Sequence, residues 1–191
     1  MWIWIIVVLL ALVVLGDVSD DGGPIDELGD AIVTLTSSDE ARLSKLEPTT
    51  QEQARGLIAD LAADGITVRV GQTLRTPAQE KTAIDSGHSA VKTHSWHELG
   101  RALDLYPIDP STGVDATGND SDGSLDLYVR MHAAASARGF RGLAFNSDGS
   151  RRYITNAQGR PIWDGGHLEW RAPFGSISEA VAAEGSNYGI A

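Results

Sequence analysis

Residues 93–107, THSWHELGRALDLYP, set two histidines, a glutamate and an aspartate among apolar residues that otherwise read as core. His97 and Asp104 are seven residues apart, and a continuous helix would separate them by about 10 Å along its axis. Gly100 supplies a break. After it, RALDLY can run extended, with Ala102, Asp104 and Tyr106 on one face and Leu103 and Leu105 on the other. An aspartate between two leucines is costly to bury without a partner, and a divalent cation is a partner that fits. His97, folded back over the start of that strand, is then within reach of the same ion.

WDGGHLEWR, residues 163–171, offers a third ligand, His167, with Asp164 three residues before it. The Gly-Gly step lets the backbone turn tightly enough to bring both side chains to one metal. Two imidazoles and one carboxylate, with a fourth position left for water, is the arrangement of a catalytic Zn2+ site. Zinc lowers the pKa of water, and a neighbouring carboxylate can take the proton and pass it to a leaving amine. Asp164 is the candidate for that base. The chain contains no cysteine, which excludes thiolate zinc sites, iron–sulfur clusters, disulfides and cysteine nucleophiles, so any metal must be held by His, Asp or Glu.

The rest of the chain reads as one domain with an appendage, since 191 residues at 42% apolar content do not comfortably build two cores. WIWIIVVLLALVVL, residues 2–15, is an unbroken apolar run with no polar face, read as an uncleaved signal anchor over residues 1–16. Residues 17–37 form an acidic, glycine-containing tether, and the folded domain is expected over 38–191. The expected location is therefore the inner membrane, with the domain exported. A net charge of −11 argues against nucleic acid as partner.

Within the domain, TTQEQARGLIADLAADG predicts a helix capped by Thr50, boxed by Gln53 and stopped by Gly65. ITVRV, residues 66–70, alternates as a strand. LRTPAQEKTAIDSG predicts a helix capped by Thr76, with Pro77 at its first position, Gln79 closing the box and Gly87 ending it. Residues 88–100 read as loop, 101–106 as a strand and 107–123 as a solvated loop. SLDLYVRMHAAASARG predicts a helix ended by Gly139, the region around Asn156 to Gly159 a hairpin, and HLEWR a last strand. Helices grouped around short strands without regular βαβ alternation give an α+β class with a small antiparallel sheet.

The pattern S-x-H-x-x-G-x-A-x-D (Ser95, His97, Gly100, Ala102, Asp104), followed by D-x-x-H (Asp164, His167), resembles the zinc peptidoglycan peptidases of the D-alanyl-D-alanine carboxypeptidase and VanY type, in the hedgehog/DD-peptidase superfamily. The resemblance spans about residues 38–172, and the SWHELGRALDLYP block is most similar to the L-alanyl-D-glutamate endopeptidase, endolysin-like branch. It implies that His97, Asp104 and His167 bind zinc, that Asp164 is the base, and that Arg75 stabilises a developing oxyanion or a substrate carboxylate. The implied partner is the peptidoglycan stem peptide, cut by a monomer. The alternatives are D-alanyl-D-alanine carboxypeptidase or dipeptidase action, for which Arg75, Arg171 or Lys92 could hold a terminal carboxylate, and a non-catalytic zinc-stabilised wall-binding module.

Other residues carry plainer readings. Ser95 is taken as a turn residue that hydrogen-bonds the site, and Glu98 as facing solvent. Glu169 either orients a ligand histidine or is exposed. His88, His94 and His132 read as surface or helix-face residues, and Trp163 and Trp170 as core.

Overall fold

The computed structural model describes residues 35–89, 91 and 93–190. The expected anchor at 1–16 and the tether through residue 34 lie outside the described residues. Among the described residues, no helix is long and apolar enough to cross a membrane.

Among the described residues five α-helices surround a small antiparallel sheet, the expected α+β class. The helices are α1 (Ser37–Leu43), α2 (Pro48–Ala63), α3 (Pro77–Ser86), α4 (Ser124–Ala137) and α5 (Ile177–Glu184). The main sheet has the order β1-β2-β6-β3, formed by Val68–Val70, Ala102–Pro107, His167–Glu169 and Arg141–Gly142. A separate hairpin pairs β4 (Ile154–Thr155) with β5 (Pro161–Ile162) around the turn expected at Asn156 to Gly159.

The core lies on one face of the sheet, where Val70, Leu103, Leu105 and Leu168 are buried against Leu57, Leu61 and Met131 of α2 and α4. Trp163 and Trp170 pack against this core, as their apolar bulk requires. Strand periodicity then sends the alternate residues of β2 and β6 to the opposite face.

Capping chemistry accounts for α3 as read. Thr76 accepts from the Gln79 N–H, the Gln79 side chain returns the contact to Thr76 N, and Gly87 closes the helix at φ 78°. Helix α2 starts earlier than its sequence suggests. Its cap is Glu47, whose carboxylate accepts from the N–H groups of Thr49 and Thr50, with Pro48 at the first position. Thr50 is instead buried inside the first turn and donates its hydroxyl to Glu47. The sequence reading contains no counterpart of α1, boxed by Thr36 and Asp39, of β3 or of α5. Helix α5 is tied to the sheet by Arg101, which makes paired bonds to Glu184 at 2.8 Å and a third to the Ala172 carbonyl.

Candidate metal centre

Antiparallel register places Asp104 of β2 directly opposite His167 of β6, with Ala102 opposite Glu169. Residues so paired hold their Cβ atoms about 5 Å apart on one face, so two of the three candidate ligands meet through sheet pairing alone. Beside Asp104 the β1 side is irregular. Its N–H donates to the Gln72 carbonyl and its carbonyl accepts from Gly71 N–H, so two residues oppose one, as in a β-bulge.

His97 arrives by a different route. Trp96–Leu99 forms a single 3₁₀ turn, and Gly100 reverses the chain in the left-handed region at φ 63° before β2 begins. Residues 88–100, expected as loop, thus contain one tight helical turn. Glu98 does not face solvent: it is buried, and its carboxylate accepts from Ser95 N–H at 2.9 Å to hold the turn.

The three ligand atoms converge. His97 Nε2 lies 3.2 Å from His167 Nδ1, His167 Nδ1 lies 3.3 Å from Asp104 Oδ1, and His97 Nε2 lies 3.4 Å from that same oxygen. A tetrahedral zinc with bonds of about 2.0–2.1 Å sets its ligand atoms about 3.3–3.4 Å apart. The triangle therefore matches one face of that tetrahedron.

The outer nitrogens of both imidazoles are already committed. His97 Nδ1 donates to the Thr73 carbonyl at 2.6 Å, and His167 Nε2 donates to Glu169 Oε1 at 3.1 Å. With those protons assigned, two lone pairs face each other at the centre, and only a cation or an extra proton relieves them. Glu169 is thus buried and hydrogen-bonded to His167 rather than exposed. Burial opposes charge on His167, but hydrogen bonds to Asp104 and Glu169 and the nearby carboxylates outweigh it and push its pKa up to about 10. Burial likewise opposes ionisation of Asp104, while the two imidazoles hold it well below the usual carboxylate range.

A cavity of about 290 Å³ opens over the triad, and Asp164, Arg75, Trp96, Tyr106 and Leu143 line it together with the three ligands. Burial, aided by the Asp104 charge, raises the Asp164 pKa. That is the direction that suits a proton acceptor working near neutrality. The Arg75 guanidinium sits 3.8 Å from Asp104 Oδ2 and donates to Glu80 Oε2 at 3.0 Å. Its Nε is buried with no hydrogen-bond partner among the described residues.

Glu80 is a buried carboxylate at the site that the sequence reading did not single out. It is 1% exposed, and it accepts from Ser89, Ser95 and Arg75 at once. Burial opposes its ionisation, but those three donors keep its pKa below the ordinary value. Ser95 reaches the site through this carboxylate. His88 is exposed, while His132 lies half-buried on α4 and donates Nε2–H to the Gly165 carbonyl at 2.8 Å.

No family model matches the sequence, and no curated protein matches it. Similar solved structures do exist. One is the L-Ala D-Glu endopeptidase ChiX of Serratia marcescens, with a TM-score of 0.49 and 20% identity over 75% of this chain and 95% of that one. A variant of the vancomycin-resistance D,D-pentapeptidase VanY in complex with Zn(II) gives 0.44 and 15% over 75% and 83%. VanYB in complex with D-alanine-D-alanine gives 0.44 and 16% over 87% and 88%. The first two are peptidases by name, and the third holds a D-alanine dipeptide.

Proposed function

We propose that the chain is a zinc-dependent peptidase that hydrolyses a peptide bond of the peptidoglycan stem, with the L-alanyl–D-glutamate bond as its target. One observation carries the reading: the ligand atoms of His97, Asp104 and His167 stand at the edge lengths of a zinc tetrahedron beneath an open cavity. The stem peptide as substrate is supported by the S-x-H-x-x-G-x-A-x-D and D-x-x-H pattern described above.

His97, Asp104 and His167 would hold the zinc ion, which when bound would supply Lewis-acid activation of water and of the scissile carbonyl. Asp164 accepts the proton of the attacking water at its carboxylate and delivers it to the leaving amine nitrogen. Arg75, fixed by Glu80, counters the negative charge that develops on the carbonyl oxygen. Thr73 and Glu169 hold the imidazoles in the tautomers that leave Nε2 of His97 and Nδ1 of His167 free to ligate.

A second reading, D-alanyl-D-alanine carboxypeptidase, is favoured by Arg75, a guanidinium that lines the cavity and whose Nε has no hydrogen-bond partner among the described residues, a cation suited to a substrate's terminal carboxylate. The apolar N-terminal run and acidic tether support an exported domain held at the membrane. The test is digestion of purified peptidoglycan by the full chain, with and without a chelator, followed by mass analysis of the fragments. Newly exposed N-terminal D-glutamate, lost on chelation, supports the proposal, and free D-alanine selects the second reading. Intact stem peptides beside zinc-loaded protein overturn both and leave a wall-binding module.

A further inference from the structure

A second cavity, of about 510 Å³, adjoins the metal site and shares Gln72, Asp104 and Tyr106 with it. Its base is close-packed: a Cβ on Gly71 would come within 2.4 Å of the Tyr106 ring, so that ring lies against bare backbone. Three cations, Arg42, Lys45 and Arg69, line the cavity against two carboxylates, Asp104 and Asp115. In a chain of net charge −11 this is a local reversal of sign.

The three cations are not equally neutralised. Arg69 is spent internally, since it makes two bonds to Asp115 and stacks over Tyr106 with its guanidinium carbon 4.7 Å from the ring centre. Arg42 is anchored by one bond to the Val70 carbonyl, and its nearest carboxylate, Asp39, lies 3.8 Å away. Asp39 is itself engaged by the Val70 N–H and by Thr36. Lys45 is exposed and forms no ion pair among the described residues. The groove therefore holds surplus positive charge in a concave setting, where field lines concentrate.

We propose that this groove is a subsite for the carboxylate groups of an acidic peptide, with Arg42 and Lys45 as its anion contacts. The inference rests on the peptidase reading in supplying a peptide to the adjoining metal site. The groove recognises charge next to the bond that is cut, so a stem peptide with free carboxylates is held and one whose carboxylates are amidated is discriminated against. It also gives an acidic domain a local attraction for an anionic wall.

The test measures binding separately from turnover. The full chain, loaded with zinc and carrying Asp164→Asn to prevent cleavage, is titrated calorimetrically with a synthetic L-alanyl-γ-D-glutamyl-L-lysine peptide and with its fully amidated form. The free-carboxylate peptide is expected to bind roughly five- to tenfold more tightly. That preference should shrink at high ionic strength and in both Arg42→Gln and Lys45→Gln. Lys45→Gln alters an exposed side chain, so it keeps the test decisive if Arg42→Gln perturbs the anchor to Val70. Equal affinities, no binding of either peptide, or a preference unchanged in Lys45→Gln overturns the subsite. Turnover of both peptides by the unsubstituted chain is followed in parallel. Cleavage with equal affinities sinks the subsite alone, whereas a carboxylate preference without cleavage sinks the peptidase reading alone.

Discussion

His167 and Glu169 sit two residues apart on β6, and the imidazole Nε2–H donates to the Glu169 carboxylate at 3.1 Å. The two-residue period of a strand puts both on one face, and Arg171, two residues further on, donates to the other Glu169 oxygen at 2.7 Å. Burial works against charge on Glu169, yet His167 and Arg171 keep its pKa below the ordinary value, so it is an anion facing an imidazole. Glu169→Ala is expected to weaken zinc binding about 10- to 100-fold. Competition with a chromophoric chelator measures it, and Glu169→Gln, which keeps an acceptor without the charge, should fall between.

Glu80 joins Arg75, Ser89 and Ser95 at one buried carboxylate. Removing it leaves a nearly buried guanidinium without its main partner and two hydroxyls without an acceptor. Glu80→Ala is therefore expected to cost about 3–5 kcal/mol in unfolding free energy, read from urea denaturation. Glu80→Gln should cost less in stability but still lower turnover, because the neutral amide holds Arg75 with weaker bonds.

What the sequence made legible follows from the range of the interactions involved. The box at Thr76 and Gln79 and the stop at Gly87 are contacts within one helix, so the local pattern suffices to place α3. The three residues that converge, His97, Asp104 and His167, were legible because each sits on a short motif with strong constraints: a glycine break, a leucine-flanked aspartate and a Gly-Gly step. Glu80 was not, because a glutamate in the first turn of a capped helix reads as a complement to the helix dipole. Its burial is decided by Ser95, 15 residues away, and by Arg75 across the cap. Glu98 was misread for a similar reason: the 3₁₀ turn that buries it exists only because Gly100 lets the chain reverse. Helix α5 is fixed to the sheet by an Arg101–Glu184 pair separated by 83 residues, which no local pattern announces.

Gly100 itself is open to test. Its φ of 63° suits glycine, and an added Cβ would lie 2.9 Å from the Glu47 nitrogen, whose N–H already donates to the Gly100 carbonyl. The left-handed conformation alone costs an L-residue about 1–2 kcal/mol. Gly100→Ala should therefore destabilise the fold by at least that amount in thermal or urea unfolding. Zinc affinity should fall as well, since Gly100 lies in the chain between His97 and Asp104, two of the three residues that would hold the ion.

The metal-free and zinc-loaded forms should respond to pH in opposite ways. Without metal, the folded state raises the His167 pKa from 6.5 to about 10, so the protonated imidazole stabilises the fold. That contribution is fully present below about pH 6.5 and is lost as pH rises through 10. Asp104, held low, contributes in the other sense: its share is present above the ordinary carboxylate range and disappears in acid. The chelated protein should consequently melt at steadily lower temperature from pH 6.5 to 10, whereas the zinc-loaded protein, in which His167 must be neutral to ligate, should be flat or rise over that interval. Zinc uptake at pH 7 should also expel a proton, visible as a calorimetric heat that changes with the ionisation enthalpy of the buffer. A chelated protein whose melting temperature does not change across the interval, or zinc binding indifferent to buffer, would show that His167 carries no such proton.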